Sequence, residues 1–283
     1  MAFGEQMNIK LLWFFLLLIP TFVKADVLVL VHGWASTPET WGVSGVQSVL
    51  AKKGWKDAGI LPYPSRIASN HTNINNGNGK IYYRIHLPSH APIAIQSTVL
   101  LNAVKTIKGK HSGDRIFLAA HSAGGLAARL MLLNPDAPKI SKLITIATPN
   151  LGTSRAVQGL DYAESKPFFC PGPGIDFLKT AAGGDKYRYV KYSRPAIVDM
   201  LPAQYGGFIH WLNSQPHPAI QYYSIVKIAD GYPGDEMVSA VSQNLANVKM
   251  ITSKVVTIDT RSGHALNPQD GYILESILTG KYD

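Results

Sequence analysis

Ser122 is the side chain in this sequence best placed to do covalent chemistry. It lies in Ala120-His121-Ser122-Ala123-Gly124, after the apolar run Ile116-Phe117-Leu118-Ala119 and before the small-residue stretch Gly124-Gly125-Leu126-Ala127-Ala128. The pattern predicts a strand, a sharp turn bearing the serine, and a helix, which together form a nucleophile elbow. Such a turn lifts the hydroxyl off the carboxyl end of a sheet, and its flanking residues must be small to clear strand and helix. Ala120 and Gly124 meet that need, although glycine is more usual where Ala120 stands. The competing reading of the pentapeptide is a serine that only caps an ordinary helix. A raised serine can attack an acyl carbonyl, and it then needs a base for its proton and N–H donors for the oxyanion.

The elements around it favour the catalytic reading. Asp26-Val27-Leu28-Val29-Leu30-Val31 is an apolar run of buried-strand type that ends at His32-Gly33-Trp34. In a serine hydrolase built this way, one oxyanion amide follows the nucleophile and the other comes from the loop after an earlier strand. Ala123 and Trp34 are the residues in those positions. Both would act through the main chain.

Three segments carry a family resemblance. Val31-His32-Gly33-Trp34 is similar to the oxyanion segment of the α/β-hydrolase lipases and esterases, and residues 120–129 are similar to their elbow and following helix. The Ala-x-Ser-x-Gly form resembles that of small bacterial lipases. Thr148-Pro149-Asn150-Leu151-Gly152-Thr153 resembles the Thr-Pro-x-x-Gly-Ser/Thr stretch after the next strand. The resemblance implies an α/β-hydrolase fold, a mainly parallel sheet with helices on both faces and a lid or cap insertion. It also implies triad members in the order serine, acid, histidine.

Val255-Val256-Thr257-Ile258 reads as a strand, and the loop after it contains Ser262-Gly263-His264. His264 is the expected base, ahead of a terminal amphipathic helix over 270–278. His121 and His32 are expected to be structural. Histidines 71, 86, 90, 111, 210 and 217 are expected to be solvated. For the acid, residues 222–229 form a strand candidate followed by three competing carboxylates, Asp230, Asp235 and Glu236. The resemblance favours Asp235, because Asp235-Glu236-Met237-Val238 matches the family's Asp-x-x-Val setting. Asp230 reads more simply as a turn residue. The implied reaction is hydrolysis of an acyl ester through an acyl-enzyme on Ser122. A phospholipase, a polyester depolymerase or an acyltransferase would share that intermediate, and a non-catalytic lipid- or partner-binding member is the alternative of a different class. No cofactor is expected. No metal is expected either, since the histidines lack ligand spacing and the carboxylates lack that of a calcium loop.

Composition bounds the rest. The chain has 283 residues and a formal net charge of +9. Residues 1–25 read as a signal peptide: Lys10, an uncharged apolar stretch over 11–23, then Val23-Lys24-Ala25 as the cleavage site. Residues 26–283 then suit a single α/β domain, secreted or periplasmic. A basic exported protein tends to adhere to anionic membrane or envelope surfaces, while the scattered cations and lack of a recognition motif argue against nucleic acid. Cys170 is the one cysteine, so no disulfide can form within the chain. An insertion over about 150–220 leaves the catalytic end of the sheet. Within it, Phe168 and Phe169 are expected to border the acyl-chain site, and the apolar residues over 200–212 are expected to be core.

Overall fold

The computed structural model describes residues 26–62, 79–164, 185–204 and 206–283. Seven strands form one sheet: β1 (Asp26–Val31), β2 (Lys56–Leu61), β3 (Ile81–Ile85), β4 (Arg115–His121), β5 (Lys142–Ile146), β6 (Gln221–Ile228) and β7 (Val255–Arg261). Their spatial order is β2-β3-β1-β4-β5-β6-β7, and every pairing is parallel. Parallel strands need crossovers, and right-handed crossovers place helices against both faces.

The central strands are apolar at consecutive positions because both faces are covered. Along β1, Val27, Val29 and Val31 enter one core, whereas Leu28 and Leu30 enter the other. Strand β4 divides in the same way, Ile116, Leu118 and Ala120 against Phe117 and Ala119. The first core is closed by α3 (Ile93–Lys110) and α4 (Ala123–Leu132). Helix α3 buries Ile93, Leu100, Leu101, Val104 and Ile107, the apolar stripe expected of a helix lying on a sheet. Helices α1 (Thr40–Val43), α2 (Val46–Lys52) and α10 (Pro268–Leu278) close the second core with Trp41, Leu50 and Leu274. Helix α10 begins in a capping box, Asn267 with Asp270, with Pro268 in its first turn.

The strand order places the site. From β1 the chain travels to one edge and returns through β3. From β4 onward it travels steadily to the other edge. The ends of β1 and β4 therefore flank a switch point, where crossovers leave in opposite directions, the position at which open α/β sheets bind their ligands. His32-Gly33-Trp34 and Ser122 lie at those two ends.

Several expectations are refined. Strand β2 carries little sequence signal, because it is an edge strand of mixed polarity interrupted by Asp57 and Gly59. The insertion contains α5 (Ser154–Glu164), α6 (Asp185–Tyr192), α7 (Arg194–Asp199) and α8 (Phe208–Ser214), and α9 (Ala240–Gln243) follows β6. Residues 200–212 are not one helix, since Pro202 and the Gly206-Gly207 pair separate α7 from α8. Met200 and Leu212 are nevertheless buried, and Leu201 and Phe208 pack against the core. Two histidines expected in solvent are buried. His111 is held by the Tyr83 hydroxyl at 2.9 Å and by Asp114, and His217 packs against Arg129. Both lie in polar local sequence, and Tyr83 and Arg129 reach them from other elements. Residues 1–25, His71, Phe168, Phe169 and Cys170 lie outside the described residues.

Candidate active site

Ser122 stands between β4 and α4 with φ 52° and ψ −131°, a backbone conformation that non-glycine residues rarely adopt. The turn is held from outside: Ser122 N–H donates to the Ile146 carbonyl of β5 at 2.8 Å. Close packing explains its small neighbours. A Cβ on Gly124 would fall 2.3 Å from the His32 carbonyl oxygen, and a Cβ on Gly33 would fall 2.8 Å from Ser122 Cβ. Elbow and Gly33-Trp34 loop are thus in contact, and each excludes a side chain from the other. Ala120 is fully buried in the core beneath.

The loop after β7 carries His264, whose Nε2 lies 2.9 Å from Ser122 Oγ. Its Nδ1 lies 2.8 Å from Asp235 Oδ2. With a proton on Nδ1 donated to the carboxylate, Nε2 is free to accept from the serine. Asp235 comes from the loop after β6 and has a fully buried side chain. Its Oδ1 accepts the Met237 and Val238 N–H groups at 2.7 and 2.6 Å, and Oδ2 also accepts from Gln243 Nε2 at 3.2 Å. Four donors thus fix this carboxylate. Asp230 is exposed at the end of β6, apart from the cluster. Glu236 turns instead to the main chain, where both its oxygens accept the His264 N–H at 3.0 and 3.1 Å.

The Gly33-Trp34 side is also braced. His32 Nδ1 donates to the Gly33 carbonyl at 3.0 Å, and its Nε2 accepts the Leu87 N–H at 3.0 Å, which ties the end of β1 to the end of β3. That pattern requires a neutral ring. Burial lowers the His32 pKa to about 4, against a smaller opposing effect of the Gly33 carbonyl. The Trp34 ring rests on Tyr189 of α6, with centroids 5.8 Å apart. Ala123 opens α4, and the first N–H groups of a helix have no acceptor within it. The Trp34 and Ala123 amides therefore belong to the two segments that meet at Ser122.

Sequence reasoning overlooked the groups that hold these residues in place. Gln243 on Asp235 and Glu236 on the His264 amide have no local signature. Lys227 did have one, as a lone cation within an apolar strand. Buried, it pairs with Asp270 at 2.8 Å and donates to the Ala265 carbonyl, beside His264. Among the described residues, no group of three or more His, Cys, Asp or Glu side chains is arranged to hold a metal ion.

Neither protein-family models nor curated sequences give a match to this chain. Solved structures do. The mature form of the lipase BlEst2 of Bacillus licheniformis is similar at a TM-score of 0.60 and 15% identity, over 92% of this chain and 93% of that one. The metagenomic carboxyl esterase MGS0156 has a TM-score of 0.52 and 16% identity over 91% and 75% of the respective chains. The RedJ thioesterase of Streptomyces coelicolor has a TM-score of 0.53 and 12% identity over 98% and 97%. At such identities the likeness is one of architecture. Sheet order, crossover pattern and these neighbours identify that architecture as the α/β-hydrolase fold.

Proposed function

We propose that the chain is a serine carboxylic-ester hydrolase, lipase-like, acting on acyl esters. The observation that carries this reading is the unbroken hydrogen-bond chain from Ser122 Oγ through the His264 ring to Asp235. In the proposed reaction Ser122 Oγ attacks the ester carbonyl carbon while His264 Nε2 takes its proton. The Trp34 and Ala123 amides receive the oxyanion, and His264 then protonates the departing alcohol. Water attacks the resulting acyl-enzyme by the same route, releasing the acid. Asp235 holds the ring in the required tautomer and stabilises its charged form. The lipase, esterase and thioesterase neighbours support acyl transfer to water as the reaction class.

Hydrolysis of p-nitrophenyl esters, with covalent labelling by a fluorophosphonate, tests the reading. Ser122→Ala should abolish labelling, and Ser122→Ala and His264→Ala should each lower kcat by about 10⁴ to 10⁶ without unfolding the protein. Undiminished turnover in either variant would overturn it. We further propose export and adhesion to anionic lipid, supported by the leader-like residues 1–25 and by the excess of Lys and Arg over Asp and Glu that residues 26–283 retain. An N-terminus at Asp26 and salt-reversible sedimentation with phosphatidylglycerol vesicles are the expected results.

A further inference from the structure

His264 belongs to no helix or strand. It lies in the loop between β7 and α10, and both of its main-chain polar groups are taken by side chains from elsewhere. Glu236 accepts the His264 N–H with both carboxylate oxygens, at 3.0 and 3.1 Å. His121 Nε2 donates to the His264 carbonyl at 2.9 Å. Glu236 directly follows Asp235, and His121 directly precedes Ser122. Each residue that the ring must meet thus has a sequence neighbour gripping the ring's own backbone.

We propose that Glu236 and His121 are positioning residues, which hold the His264 main chain at the one place where its ring spans Ser122 and Asp235 at once. The inference rests on the reading of Ser122, His264 and Asp235 as a triad. A loop residue has no ladder of hydrogen bonds to set its place, and a displacement of about 1 Å can cost about 10²-fold in rate. The geometry around each clamp fits the role. A Cβ on Gly263 would fall 3.0 Å from Glu236 Oε2, so the loop passes close to the carboxylate at a residue without a side chain. His121 is buried with its ring centroid 5.1 Å from that of His264, and its Nδ1 has no partner. Among the described residues, the one side-chain hydrogen bond of His121 is the one to His264. Burial and the adjacent His264 ring hold its pKa well below the ordinary value, so it remains a neutral donor.

The test compares Leu and Gln at each position. Gln can donate where His121 Nε2 does and can accept where Glu236 does, whereas Leu can do neither. We expect His121→Leu and Glu236→Leu each to lower kcat on p-nitrophenyl butyrate by about 10- to 100-fold with KM changed less than about threefold. The Gln variants should recover to within about fivefold of the parent. Gly263→Ala, whose new Cβ would crowd the far end of the Glu236 side chain, should lower kcat in the same direction as Glu236→Leu and by less. The downfield NMR resonance of the proton between His264 Nδ1 and Asp235 gives a readout independent of turnover. It should broaden in the Leu and Gly263→Ala variants and stay sharp in the Gln variants. Leu variants within twofold of the parent in kcat, or folded Gln variants as impaired as the Leu ones, would overturn the assignment. If the parent hydrolyses no ester yet the resonance responds as described, the positioning stands and the hydrolase reading falls.

Discussion

Asp235 and Glu236 are adjacent carboxylates that serve the same histidine differently, one at its ring and one at its amide. A side chain's role at this scale is set by the atom it reaches, and a carboxylate nearby in sequence cannot replace it. Asp235→Asn should therefore lower kcat by about 10⁴, the size of effect seen when a triad acid can no longer hold the imidazole tautomer. Asp230→Asn should leave kcat within about twofold. Ester turnover of the two purified variants decides the matter, and a reversal of their order would move the acid to Asp230.

Between elements, close approach of backbones is what fixes the site's frame. Gly271 on α10 faces α2, and a Cβ there would fall 2.9 Å from Val49 Cβ and 3.3 Å from the Val46 carbonyl oxygen. Two effects of Gly271→Ala oppose each other. Helix propensity favours alanine by about 1 kcal/mol, while overpacking a close helix contact costs about 1–3 kcal/mol. Because the nearest atoms include a branched side chain and a main-chain carbonyl, overpacking should win. Urea unfolding should show a net loss of about 1 kcal/mol or more with ester kcat unchanged. In a Val49→Gly background, which removes the Cβ that the new methyl meets, the same substitution should become neutral or stabilising. A destabilisation that persists in that background would mean the contact is not the cause.

For the whole molecule, buried neutral histidines make stability depend on pH. Burial lowers His32 to about 4, and His217 is lowered to about 4 by burial and then by the adjacent Arg129. Arg129 is itself fully buried among His217, Asn150 and Asn213, and desolvation lowers it to about 9. Below about pH 6.5 the unfolded chain binds protons at these two histidines that the folded chain refuses until about pH 4. Stability is therefore fully present above about pH 6.5 and is lost as the pH falls through that window, by about 3 kcal/mol for each histidine. Urea midpoints at pH 7 and pH 4.5 should differ accordingly, and His217→Gln, which can still accept from Arg129, should reduce the difference. A midpoint independent of pH would contradict this account.

Some of this was legible in residue order. The continuous apolar run of β1 announced a strand buried on both faces, and the small residues around Ser122 announced a tight strand-to-helix turn, because both are local steric requirements. The terminal helix could likewise be read from its own periodicity. Other features depended on contacts that no local pattern encodes. In the sequence, a family resemblance and the turn position of Asp230 set Asp235 ahead of it, but only the path of the loop after β6 puts Asp235 beneath His264 and leaves Asp230 in solvent. His111 and His217 sit in polar stretches, yet Tyr83 and Arg129 arrive from other elements to cover them. The sequence by itself determined which elements form and which residue types could react, since those follow from short-range sterics and burial. The tertiary structure alone decided which of those residues meet and what holds the base in place, since the contacts of His264 with Ser122, Asp235, Glu236 and His121 join residues 28 to 143 positions apart.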